Sequence, residues 1–224
     1  MTPRELIDVA QVPGGEPLRL FRRGGDFMIV LERNELMSSR MSGSEEALAE
    51  MTLARLRDPA SAHLLIGGYG MGFTLRKALA LIGPEGRCTV AELVPKIVEW
   101  ARGPMAELAA GCLDDARTQI VLDDVGAVIG QARARYDAIL LDVDNGPDGL
   151  TRLDNDRLYT MRGLDKARQA LKPGGVLAVW SAAPDDRFRR RMGDAGFAVE
   201  EVAVRARQNG KGPRHVIWFG RRAG

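Results

Sequence analysis

The apolar run Tyr136-Asp137-Ala138-Ile139-Leu140-Leu141 ends in Asp142, which delivers a carboxylate to the end of a hydrophobic stretch. A carboxylate so placed can take a proton from a primary amine, which is nucleophilic only when neutral, so Asp142 is the candidate catalytic base. Asp144, Asn145 and Asp148 follow in a loop rich in Gly and Pro and offer further amine acceptors, although such residues also form turns. Earlier, the run at 63–66 enters Gly67-Gly68-Tyr69-Gly70-Met71-Gly72 and then a helical pattern. Glycines there let the backbone approach a ligand, and the helix start offers free N–H groups. Glu92 closes the next apolar run, and its two oxygens match the two hydroxyls of a ribose diol. Asp123 and Asp124 close the third and suit the exocyclic amine of adenine. With the adjacent Leu93 and Val125, these residues make a candidate adenosine pocket: Gly67, Gly68, Tyr69, Gly70, Glu92, Leu93, Asp123, Asp124 and Val125.

Elements with a regular rhythm must hold these groups. Continuous apolar runs at 63–66, 88–91, 119–122, 138–141 and 176–180 are bounded by Gly, Pro or Asp. Helical patterns at 74–81, 95–110, 125–133 and 156–171 separate them, the last stopped by Lys172-Pro173-Gly174-Gly175. That alternation predicts a mostly parallel, doubly wound α/β sheet with helices on both faces. A helix at 184–194 precedes strands at 197–205 and 215–219 joined by a polar turn, a C-terminal antiparallel hairpin. An open sheet closed this way fits the Rossmann-like fold of class I S-adenosylmethionine-dependent methyltransferases better than a nicotinamide-binding domain. Ahead of it, 17–21 and 27–31 read as a short β-hairpin, and Ser42-Gly43-Ser44-Glu45-Glu46 as the cap and acidic first turn of a helix.

Composition narrows the function. A chain of 224 residues suits one large domain with an appendage, divided here as 1–60 (hairpin plus helix) and 61–224. The 32 basic and 30 acidic side chains leave a net charge of +2, too small to argue for a nucleic-acid or anionic-membrane partner. Cys88 and Cys112 lack C-x-x-C or metal-ligand spacing, which disfavours a disulfide scaffold, a zinc site and a thiol redox centre. The N-terminus has no signal-peptide-like apolar stretch and no window reaches the ~18 apolar residues of a membrane span, so a cytoplasmic protein is expected. His63 and His215 stand at strand starts without a nucleophile nearby and read as structural, as do Trp180 and the solvated basic run Arg187, Arg189, Arg190 and Arg191. Met71 and Phe73 read as walls of the glycine loop.

Residues from Leu64 to about Gly175 resemble the catalytic domain of the spermidine synthase family, the polyamine aminopropyltransferases. LLIGGYGMG followed by FTLRKAL is similar to that family's IIGGGDGG and TLREVL, with one extra residue here. VAELVPKIVEWAR resembles V-E-I-D-P-x-V-I-E-x-A-R, VLDD resembles V-G-D-G, and YDAILLD resembles YDVIIVD. The resemblance implies that Glu92 binds ribose, Asp124 binds adenine and Asp142 is the general base. It further implies S-adenosylmethionine or its decarboxylated form as co-substrate without a metal, a small amine as acceptor, and a homodimer. Tyr159 matches an element lining the substrate side.

Departures fall toward the acceptor. The family's glycine-loop Asp is Gly70 or Met71 here, and its D-S-S-D is Asp142-Val143-Asp144-Asn145. Glu32-Arg33-Asn34-Glu35-Leu36 resembles E-R-D-E-F, but Ser38 stands where Tyr is expected and Ile29 where Gln is expected; Glu46 matches a following Glu. The expected activity is aminopropyl transfer to a small amine. Methyl transfer from S-adenosylmethionine and non-catalytic binding of an adenosyl ligand are the alternatives, and a nicotinamide oxidoreductase is a distant one.

Overall fold

The computed structural model describes residues 3–143, 156–207 and 209–224. The chain opens with four antiparallel strands, β1 (Glu5–Ala10), β2 (Leu18–Arg23), β3 (Asp26–Leu31) and β4 (Asn34–Ser38), paired in chain order. The hairpin expected from the sequence is β2–β3, closed by Gly24-Gly25 between the paired Arg23 and Asp26. Two strands flank it, so this region is a four-stranded sheet and not one hairpin. Neither announces itself in the sequence: β1 leaves Leu6 and Val9 exposed, and β4 begins with two polar residues and slips register against β3.

Helix α1 (Gly43–Leu53) follows as expected, although Ser42 makes no side-chain cap bond. The alternating region is β5 (His63–Gly67), α2 (Phe73–Leu81), β6 (Arg87–Ala91), α3 (Pro95–Arg102), α4 (Ala106–Ala109), β7 (Thr118–Val121), α5 (Val125–Gln131) and β8 (Tyr136–Leu141). The single helix expected over 95–110 is two, because Gly103-Pro104 intervenes and proline cannot continue the hydrogen-bond ladder. Then come α6 (Asp156–Tyr159), α7 (Met161–Ala170), β9 (Leu171–Ser181), α8 (Asp186–Asp194), β10 (Phe197–Arg205) and β11 (Arg214–Arg222). The helix expected over 156–171 breaks at Thr160, whose hydroxyl oxygen accepts from the Gly163 N–H at 3.1 Å and caps α7. Lys172-Pro173-Gly174-Gly175 stops that helix but already belongs to β9.

The large sheet has the order β10-β11-β9-β8-β5-β6-β7. β7, β6, β5, β8 and β9 run parallel, and β11 is antiparallel to both β9 and β10. Alternate side chains feed two cores. Leu64, Ile66, Val90 and Leu140 pack with α1, α2, α3 and the inner face of the N-terminal sheet, including Leu20 and Ile29. Leu65, Ile139, Leu141 and Val179 pack with α5, α7 and α8 on the other face. Burial on both faces explains why these strands read as unbroken apolar runs; each such aliphatic side chain contributes ~1.5–3 kcal/mol. Because the N-terminal sheet shares a core with β5 and β6, it is fixed above their carboxyl ends. Among the described residues no helix is long and apolar enough to cross a membrane.

Candidate active site

The chain winds from β5 toward β6 on one side and returns to β8 on the other, so β5 and β8 are neighbours at the point where the strand order reverses. Open α/β sheets form a crevice at that point, outside the carboxyl ends of the strands. Here Asp142, directly after β8, is tied to β5 by its N–H, which donates to the Gly67 carbonyl at 3.2 Å. The Gly68 N–H donates to Ala91 at the end of β6 at 2.9 Å. Gly68 has φ +85°, and a Cβ on it would lie 2.8 Å from the Asp142 carbonyl oxygen, so only glycine lets the two strand ends close to this distance. Gly70, at φ +55°, lies beneath the Met37 side chain of β4, which brings the N-terminal sheet down onto the loop.

Glu92 is the most enclosed acid of the crevice. Its Oε2 accepts from the Tyr69 N–H at 2.8 Å and its Oε1 from the Val94 N–H at 2.8 Å. Burial pushes its carboxyl above the usual range, and the N–H groups of Val94, Tyr69, Gly70 and Leu93 pull it back. A carboxylate oxygen can accept from more than one donor, so the Tyr69 and Val94 contacts do not exhaust it. Asp124 caps α5, its Oδ1 accepting from the Ala127 N–H at 3.0 Å. Val125 packs on Gly67.

Glu92, Leu93, Asp124, Val125, Asp142, Gly68 and Gly70 line one cleft, whose empty space of about 830 Å³ includes its open mouth. Val12, Leu31 and Leu36 of the N-terminal region form the opposite apolar wall, with Glu16 at its edge. Local periodicity does not assemble this wall, because its residues become neighbours only when the small sheet docks. Burial raises the Asp142 carboxyl to about 6, against a lowering hydrogen bond from Thr74 Oγ1 at 2.9 Å.

Other candidates lie elsewhere. The Tyr69 side chain turns into the core, its hydroxyl 3.5 Å from Cys112 Sγ, so this residue offers the loop its backbone only. Met71 and Phe73 are buried in the same core and do not line the cleft. Asp123 is exposed, and its Oδ1 accepts from the Asp124 N–H at 2.8 Å, a turn contact. Tyr159 is buried edge-on against Phe188, with its hydroxyl 3.4 Å from the Val143 carbonyl. It supports the chain just after Asp142 and does not line the cleft. Asp144, Asn145 and Asp148 lie outside the described residues. His63 contacts Thr89 Oγ1 at 3.0 Å and Tyr136 edge-on, a structural role, and Trp180 is buried. A buried acid beside Asp142, Glu45 of α1, escaped the sequence reading as one of a pair of first-turn acids. Its spacing to Leu48, Ala49 and Thr52 was the available sign, since it puts a charge on the buried face.

A family model described as the spermine/spermidine synthase domain matches residues 41–185, more than half of the chain. The chain belongs to this family. The polyamine aminopropyltransferase of Saccharolobus solfataricus is 30% identical over 139 residues, which cover 62% of this chain and 44% of that protein. The polyamine aminopropyltransferase of Mycobacterium tuberculosis is 30% identical over 194 residues, covering 82% of this chain and 35% of that protein. The chain thus aligns with less than half the length of these relatives. Among solved structures, the spermidine synthase of Thermotoga maritima superimposes with a TM-score of 0.77 at 19% identity, over 98% of this chain and 73% of that one. A probable spermidine synthase from Corynebacterium glutamicum gives 0.62 at 18% identity, over 96% and 81%. The fold is therefore the class I methyltransferase-like α/β sheet expected from the strand rhythm.

Proposed function

We propose that this spermidine synthase family member transfers an aminopropyl group from decarboxylated S-adenosylmethionine to a small primary amine, with Asp142 as proton acceptor. The observation that carries the reading is that Glu92, Asp124 and Asp142 line a single cleft. Glu92 would hold the ribose diol with the acceptor capacity left beside its two backbone partners. Asp124 would take the adenine amine on the oxygen not engaged by α5, between Leu93 and Val125. Gly68 and Gly70, which also line the cleft, would face the sulfonium side. The incoming amine nitrogen bonds to the methylene beside the sulfonium, the carbon–sulfur pair leaves with sulfur as a neutral thioether, and the proton shed by nitrogen goes to Asp142. A carboxyl raised to about 6 is ionised at neutral pH, yet more basic than an ordinary aspartate.

One observation favours a second reading, methyl transfer from S-adenosylmethionine. The loop at Gly70 carries no acid and is covered by Met37, so the carboxylate of a methionine tail would meet no like charge there. Calorimetric titration with S-adenosylmethionine, its decarboxylated form, methylthioadenosine and NAD separates these ideas. Tightest binding of the decarboxylated form, with turnover of 1,4-diaminobutane, is the expected result. Preference for S-adenosylmethionine with methyl transfer supports the second reading, binding without any turnover makes the chain a non-catalytic adenosyl-binding protein, and preference for NAD sinks all three.

A further inference from the structure

Asp142 has a second acid beside it. The Thr74 hydroxyl that donates to Asp142 Oδ2 at 2.9 Å also lies 3.4 Å from the backbone carbonyl of Glu45. Glu45 is only 9% exposed and shares the buried face of α1 with Ser44, Leu48, Ala49 and Thr52. Its side-chain partner is neutral: Oε2 accepts from Ser44 Oγ at 2.7 Å, and Ser44 Oγ stands 3.0 Å from Nδ1 of His215 on β11. His215 in turn packs edge-on against Trp180. An acid on an apolar helix face needs a reason, because burying its charge is costly unless the group is paired or protonated. A serine hydroxyl and its own backbone N–H are weak partners for a carboxylate, so burial favours the protonated Glu45.

We infer that Glu45 is a positioning residue for Asp142: kept protonated on the buried face of α1, next to the Thr74 that bonds the cleft-lining Asp142, Glu45 governs the charge of the pair. The inference rests on reading Asp142 as the proton acceptor of the reaction. Burial and the Asp142 charge push Glu45 up to about 8, while burial alone pushes Asp142 up to about 6. Around neutral pH the pair therefore carries a single charge, placed on Asp142, where the Thr74 hydroxyl stabilises it. Among the described residues, the other ionisable groups near this end of α1 do not supply a compensating cation. Glu46 adds a further negative charge on α1, Lys77 of α2 is held by Glu50, and burial keeps His215 of β11 below its ordinary value. On β10, Glu200 is taken by Arg55 and Arg205 bonds the Gly212 carbonyl. Above about pH 8 the pair gains a second charge, which strengthens the hold of Asp142 on an ammonium proton and opposes formation of the reactive neutral amine.

The test follows both carboxyl groups by carbon NMR of the full chain labelled at Asp and Glu, with Glu45 assigned through its own backbone. The expected result is a Glu45 titration near about 8 that moves down by about one unit or more in Asp142→Asn, because the repelling charge has gone. A Glu45 group that titrates in the ordinary carboxylate range, or that Asp142→Asn leaves unmoved, overturns the pairing. The ratio of kcat/KM for Glu45→Gln to that of the parent should bend near pH 8, and a ratio flat with pH overturns the positioning role. Full turnover by Asp142→Asn would instead sink the base reading, and the NMR outcome would still judge the pair by itself.

Discussion

Glu92 and Glu45 are both buried glutamates within reach of one cleft, and their surroundings differ in kind. Glu92 is met by backbone N–H groups on each oxygen, donors fixed by the turn after β5 and the start of α3. Glu45 meets a serine hydroxyl and the negative charge of Asp142. The first environment sets backbone donors on both oxygens, which favour the ionised form that burial opposes. The second makes the charge conditional, as a site that must accept a proton and release it requires. On the proposed reading, the adenosyl end of the cleft rests on backbone donors and the acceptor end on titratable side chains.

If the two ends are separable, Asp142→Asn gives the largest effect. The amide keeps the Thr74 contact and the shape but cannot take the proton, so kcat should fall about 10²–10⁴-fold. Methylthioadenosine affinity, read by calorimetry, should stay within twofold, and a parallel loss of binding would break the distinction drawn above. Glu92→Gln probes the other end. Its amide presents a donor to either the Tyr69 or the Val94 N–H and loses the charge on which a diol would depend. Two charge-assisted contacts at ~1.5 kcal/mol each correspond to roughly a 100-fold weaker Kd for methylthioadenosine. Turnover at saturating co-substrate should change far less than the affinity.

Stability against pH reports on Glu45 without any ligand. For Glu45 the folded-state value of about 8 lies above the ordinary 4.5, so between these pH values the folded chain binds more protons than the unfolded chain. The sign follows: this group costs nothing while protonated in both states, and stability declines as pH rises from about 4.5 to about 8. Glu45→Gln should flatten that decline in urea unfolding, with the two curves meeting at the acid end. Equal slopes for parent and variant would mean that Glu45 is not held protonated by the fold.

The large sheet was legible because its strands are buried on both faces, so 63–66, 88–91 and 138–141 could be read from apolar content alone. Glycine loop and strand-end acids were legible for a related reason: each stands at a fixed offset from such a run. What stayed hidden depends on packing between distant segments. β1 pairs through backbone while Leu6 and Val9 face outward, so its pattern carries no burial signal. Met37 over Gly70, and Ser44 beside His215, join residues far apart in sequence that no local periodicity links. The rings of Tyr69 and Tyr159 turn into the core, which neither the glycine loop around the first nor the family element around the second announces.

Asp124 tests the finest part of the comparison, since it belongs to both kinds of environment: one oxygen caps α5 and the other is available to the cleft. Asp124→Ala removes both functions, whereas Asp124→Ser retains a hydroxyl that can cap the helix but lacks the second acceptor. The alanine variant should lose about 1 kcal/mol of stability, or a Tm lower by ~2–4 °C for a chain of this size. The serine variant should melt close to the parent. Both should bind methylthioadenosine about 10-fold more weakly, the effect of one lost hydrogen bond of roughly 1.4 kcal/mol. Both should also lose the preference for it over methylthioinosine, whose six-position oxygen offers no amine to an acid. If the serine variant keeps both affinity and preference, Asp124 is a helix cap alone, and base recognition is not its task.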